Sequence, residues 1–165
     1  MITPEYTKTM ARYNAWQNKS LYGAADGLSE AEQQLDRGAF FGSIHSTLSH
    51  VLWGDTMWMS RFDGWELPSI EAPNGIEFGG SWAKMSAARQ SADGRILHWA
   101  EQVSSGDLEG ELCWFSGAVN REVCKPFALL ITHFFNHQTH HRGQVHAMLT
   151  AAGAKPDDTD LPFME

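Results

Sequence analysis

Pro126-Phe127-Ala128-Leu129-Leu130-Ile131-Thr132-His133-Phe134-Phe135-Asn136-His137-Gln138-Thr139-His140-His141-Arg142-Gly143-Gln144-Val145-His146-Ala147-Met148 holds five of the chain's eight histidines. A helix turns by about 100° per residue. On that wheel Leu130, Phe134, Val145 and Met148 fall within roughly 60° of one another and mark a buried stripe. His137 and His141 lie inside the stripe, His133 and His140 near one edge, and His146 on the opposite side. Pro126 opens this helix and Gly153 ends it, with Pro156 shortly after.

Two imidazoles at i and i+4 project from one face about one turn apart, so both can reach one ion. The H-E-x-x-H zinc motif uses the same spacing. An apolar stripe is a costly place for two imidazoles unless something engages their nitrogens. A satisfied core histidine is the ordinary alternative, and HxxxH pairs recur in helices without a metal.

Working outward, Phe41, Ile44, Leu48, Val51, Asp55, Trp58 and Phe62 form a 3-4 spaced stripe, which predicts a helix capped by Ser43 and ended by Asp63-Gly64. It offers a third ligand from either His45, near the apolar seam, or His50, on a semi-polar face with Trp53, Gly54 and Met57. Spacing does not choose between them. A first helix is expected from Pro4, capped by Thr3, to about Ala25, followed by a short capped turn at Ser29. Residues 65–80, with three glycines and two prolines, read as a long loop. A further helix is expected from a Ser81 cap to about Val103. Between Glu109 and Cys124 the pattern suits a short β-hairpin or an irregular loop. The tail from Pro156 is expected to be extended and packed by Leu161 and Phe163. Together these elements predict an all-α fold, a four-helix bundle with a long crossover loop and a short β-hairpin before the last helix, in one domain over residues 1–165.

The net charge of −8 and the lack of any basic stripe argue against nucleic acid and anionic membrane as partners. No signal peptide and no run of about 18 apolar residues is visible, so a cytoplasmic location is expected. Cys113 and Cys124 lack the spacing of a C-x-x-C pair; they are read as buried or bystander thiols, with a disulfide between them as the alternative. Seven tryptophans are many for 165 residues; most are assigned to the core, the rest to a pocket wall.

Asn136-His137-Gln138-Thr139-His140-His141-Arg142-Gly143-Gln144 resembles the signature of the DinB-like metalloprotein superfamily. Tyr13-Asn14-Ala15-Trp16-Gln17-Asn18 resembles the family's first helix. Ser49-His50-Val51-Leu52-Trp53-Gly54-Asp55, with Trp58, Arg61 and Phe62, resembles its second. The resemblance implies a three-histidine site of His50, His137 and His141, with His133 and His140 beside it. Three nitrogen ligands leave open positions on the ion and suit Zn or Ni first, with Fe(II) or Co also compatible. It further implies a small-molecule substrate and transfer of a low-molecular-weight thiol of the bacillithiol or mycothiol type. A metal-dependent hydrolase and a non-catalytic stress-response protein that binds a metal or ligand are the alternatives. Asp55 and Gln144 are weak candidates for proton transfer, each better read as structural, and Arg142 is expected to hold the fold or an interface. Relatives pair as homodimers, and exposed Trp and Met residues would permit that here.

Overall fold

The computed structural model describes residues 1–71, 74–117 and 119–164. Ala72 and Pro73 of the expected loop, Ala118 of the expected hairpin turn and the terminal Glu165 lie outside the described residues. Four long helices dominate: α1 (Pro4–Asp26), α3 (Ile44–Phe62), α4 (Trp82–Gln102) and α6 (Phe127–Ala151). Two short ones, α2 (Glu30–Gln34) and α5 (Ser105–Glu109), lie in the connections, and β1 (Glu111–Ser116) pairs with β2 (Arg121–Pro126) in an antiparallel hairpin.

Local sequence sets most of these boundaries. Thr3, Ser29 and Ser43 each accept a backbone N–H from the first turn they precede, which satisfies donors that a helix start leaves open. Ser104 and Asp107 form a reciprocal capping box on α5, a short helix the sequence reading did not anticipate. Ser81 occupies the expected cap position of α4 but makes no side-chain cap hydrogen bond.

The long helices form a square in which α1 packs on α4 and α6, and α3 packs on the same two. Paired contacts fix the directions. Tyr6 meets Phe135 and Asn14 meets Arg142, so α1 and α6 are parallel. His45 bonds to Gly80 at 2.9 Å while Phe62 stacks on Trp99, so α3 and α4 are parallel and antiparallel to the first pair. A parallel α3–α4 pair requires the intervening chain to travel back the length of a helix, which explains the long loop; it includes a 3-10 turn at Asn74–Glu77.

The apolar core runs along the inside of the square through Leu21, Leu48, Met59, Met85, Ile96, Phe134 and Phe135. Interrupting it is a buried polar layer drawn from all four long helices. Arg89 Nη1 donates to Asp55 Oδ2 at 2.5 Å, and Gln138 Nε2 donates to Asp55 Oδ1 at 2.9 Å. Arg89 Nη2 stands 2.8 Å from Asp93 Oδ1, which also accepts from Asn14 and Asn18. Arg142 donates to Asn14 and lies over the Tyr13 ring. Burial raises the Asp55 carboxyl, against the pull of Arg89 and the hydrogen bond from Gln138. Asp55 is therefore fully engaged in holding the helices, and Arg142 holds the fold.

Three further readings are corrected. Cys113 and Cys124 are not free, buried thiols; they are exposed and joined in a disulfide across directly paired hairpin positions. No described helix is long and apolar enough to cross a membrane. Leu161 and Phe163 do not pack the tail, being 39% and 72% exposed. The tail is held by backbone instead: Thr159 and Asp158 carbonyls accept from Tyr13 and Gln17, and the Asp157 N–H donates to Ser20. No tryptophan is exposed, and Met1 is the one exposed methionine among the described residues; Phe40, Phe115 and Phe163 supply the large apolar surface instead.

Candidate metal centre

The polar layer fixes the register of α3 against α6, and the histidines stand beside it in sequence. Gly54 precedes Asp55, His137 precedes Gln138, and His141 precedes Arg142. With Asp55 and Gln138 hydrogen-bonded inside the bundle, the adjoining faces of α3 and α6 turn His50, His137 and His141 toward one another. One ring nitrogen from each lies within 4.8 Å of the others. The His50 and His137 Nε2 atoms are 3.1 Å apart. Two nitrogens sharing a tetrahedral ion at ~2.0–2.1 Å each would be about 3.3 Å apart, so the spacing fits a common metal.

The donors are in the right protonation state. Burial and the neighbouring His141 lower His50 to about 4. Burial, with His141 and His50 beside it, lowers His137 to about 3. His141 is also lowered by burial, with Gln144 partly opposing the shift. All three are neutral at pH 7 and offer lone pairs. Gln144 Oε1 lies 2.8 Å from His141 Nδ1 and can only accept there, while its Nε2 faces His140 at 3.4 Å. His141 Nδ1 therefore carries the proton and Nε2 remains a ligand atom. This orienting role replaces the proton-transfer role considered for Gln144.

The walls are aromatic. Phe41 lies 4.0 Å from the His50 ring and 5.3 Å from that of His141, centroid to centroid. The sequence stripe assigned Phe41 to the helix, but it stands before the Ser43 cap in a tight turn. Gly42 adopts φ +76°, a conformation suited to glycine, and its N–H closes on the Ala39 carbonyl at 2.8 Å. Nothing in the spacing marked Phe41 as a site residue. On the other side Trp53 stacks on His50 and donates to the Ile70 carbonyl at 2.8 Å. Gly54 lets His137 lie against α3, since a Cβ there would come 3.0 Å from His137 Cε1.

His45, the competing ligand, is drawn away to Gly80. His133 meets Trp58 edge to face and is 5.9 Å from the His137 ring, and His140 is 4.9 Å from that of His141; neither joins the three-nitrogen group. A second cluster among the described residues, Cys113, Glu122 and Cys124, has its sulfurs in the disulfide and lacks the thiolates a metal would use.

Beside His137 a cavity of about 590 Å³ opens between α3, α6 and the hairpin, walled by Trp53, Met57, Trp58 and Trp114. Water or a small organic molecule can enter it next to the imidazoles.

The family model described as "DinB family" matches residues 1–165. "Protein DinB" of Bacillus subtilis (strain 168) is 22% identical over 170 residues, a match that covers 94% of this chain and 91% of that protein.

Proposed function

The chain belongs to the DinB family, and from that premise we propose that it is a divalent-metal protein, with His50, His137 and His141 as ligands, that transfers a low-molecular-weight thiol to an organic electrophile. The convergence of three neutral imidazoles, one of which, His137, lines an aromatic-walled cavity, carries this reading. A bound divalent ion, Zn or Ni first, supplies Lewis acidity that favours the anionic form of a thiol at neutral pH. The chain's own residues do the rest. Gln144 holds His141 in one tautomer, Phe41 and Trp53 cover the imidazoles on two sides, and the cavity beside His137 receives the electrophile. In the transfer the thiol sulfur forms a bond to carbon, the leaving group departs with its electron pair, and the thiol proton passes to water.

Hydrolysis is the weaker reading because it asks for a general base beside the ion. Asp55 is buried under Arg89 and Gln138, and Gln144 orients a ligand. Pairing as a homodimer belongs to the same proposal, with Phe40, 81% exposed beside Phe41, as an apolar contact.

The test begins with metal content, by mass spectrometry, of tag-free protein beside His50→Ala, His141→Ala and His45→Ala. About one ion per chain is expected in the wild type and His45→Ala, and loss in the other two. The loaded protein is then assayed with bacillithiol, mycothiol and cysteine against an activated aryl halide. Metal-dependent conjugation, lost in His141→Ala, supports the proposal. Ester turnover without thiol would point to the hydrolase, and metal binding without turnover to the non-catalytic alternative. Wild type that cannot be loaded with Zn, Ni, Fe(II) or Co would remove the metal reading.

A further inference from the structure

Arg61 stands on the cavity wall and has no partner of opposite charge within 4.0 Å among the described residues. Nor does its guanidinium donate a hydrogen bond to any described residue. It lies 4.7 Å from the Trp58 ring and 5.3 Å from that of Trp114. The guanidinium rests against both indoles, which offer it no hydrogen-bond acceptor and leave its N–H donors for another partner. Its donors are not among the fully buried unpaired atoms, so they face cavity water that the acceptor of a ligand can replace. Burial lowers the pKa of Arg61, which is what partial loss of water around an uncompensated cation does.

The rest of the cavity narrows the ligand. Its walls are large and apolar, so the body of the ligand is aromatic or aliphatic. Arg61 is the one lysine or arginine on the described lining, while Glu71 stands on the same lining and the chain carries −8 overall. One cation with one nearby anion favours a single negative charge over a dianion. A planar fork of donors matches a carboxylate. From Gly54, against which His137 rests, to Arg61 is seven residues of helix, about 10 Å.

We propose that Arg61 is a specificity-determining residue that anchors the carboxylate of an arylalkyl or comparable apolar monocarboxylate, placing the far end of that molecule beside His137. This deepens the transferase reading by naming the class of its organic substrate, and it rests on that reading only for what happens at the far end.

The test is a titration of intrinsic tryptophan fluorescence with 3-phenylpropionate and with 3-phenylpropionamide, on zinc-loaded and on metal-free protein. The acid is expected to bind saturably and at least tenfold more tightly than the amide, in both forms. Arg61→Met keeps an unbranched chain between the indoles and is expected to weaken the acid at least tenfold while leaving the amide unchanged. Arg61→Lys is expected to fall between, since it keeps the charge and loses the fork. Thermal melting and zinc content of both variants check that the fold and the imidazole site persist. Equal affinity for acid and amide, or undiminished acid binding in Arg61→Met, would overturn the proposal. So would acid binding that requires zinc and ignores Arg61, because the carboxylate would then sit on the metal. Because the metal-free arm is read separately, a failure to load metal sinks the transferase reading and leaves this one standing or falling by itself.

Discussion

Gln144 Oε1 accepts from His141 Nδ1 at 2.8 Å, one turn along the same helix. The bond selects the tautomer, holds the ring plane, and leaves Nε2 unprotonated as the ligand atom. Partners of this kind are worth about 10–100-fold in metal affinity. Gln144→Leu keeps the bulk and removes the acceptor, so zinc affinity is expected to fall by about that factor with little change in melting temperature. Gln144→Glu keeps an acceptor and is expected to retain binding. Competition titration against a chromophoric chelator reads both; equal affinity in wild type and Gln144→Leu would show that packing alone orients His141.

Gly54 sits in the interior of α3, where glycine is unfavourable by about 1 kcal/mol relative to alanine. A Cβ at this position would come 3.0 Å from His137 Cε1, so the ring must retreat by a few tenths of an ångström. Gly54→Ala is therefore expected to separate two properties. Helix propensity favours the metal-free protein by up to about 1 kcal/mol, while displacement of His137 weakens zinc binding. Melting of the metal-free form and zinc titration are the two measurements. Unchanged zinc affinity would mean that His137 moves without cost.

The lowered pKa values of His137 and His50, about 3 and about 4 against an ordinary 6.5, have a signed consequence for the metal-free protein. Between the folded and unfolded values the unfolded chain binds more protons. Stability therefore rises with pH through that window and falls as pH drops from 6.5 toward 4. Melting temperatures at pH 7.5 and pH 5 are expected to differ more in wild type than in His137→Leu. An excess of about 3 °C would correspond to roughly 1 kcal/mol in a chain of this size. Identical drops would place the acid sensitivity elsewhere, in the buried carboxylates.

The stripe containing His137 and His141 gave the last helix, its inward face and two members of the imidazole group, because burial and ligation follow the same 3.6-residue period. Neither tertiary hydrogen bonds nor turns have such a period. His45 and His50 therefore remained equivalent on the wheel, and the Gly80 carbonyl that draws His45 away comes from the loop that returns beside α3. Phe41 continued the helical spacing by coincidence, and the backbone turn at Gly42 puts it over His50 instead. Cys113 and Cys124 are opposed only once a hairpin exists to pair them, and their separation in sequence is uninformative without its register. Tyr13, Gln17 and Ser20 hold the tail through its backbone, which no side chain of the tail announces.

Asp55 carries the last expectation. Its carboxylate accepts from Arg89 at 2.5 Å and from Gln138 at 2.9 Å, with no exposure to solvent. Removing one partner of a buried pair strands the other, typically at a cost of about 3–5 kcal/mol. Asp93 remains 2.8 Å from Arg89, so Asp55→Ala is expected near the lower end, about 3 kcal/mol by urea unfolding. The consequence reaches the site through register, because Gln138 and Asp55 tie α6 to α3 one residue from His137 and Gly54. Asp55→Asn keeps the shape and part of the hydrogen bonding. It is expected to lose less stability, yet still to weaken zinc binding if the ion pair, rather than packing, holds the helices in step. Full zinc affinity in both variants, measured under conditions where each is folded, would show that the apolar contacts of α3 and α6 set that register without the polar layer.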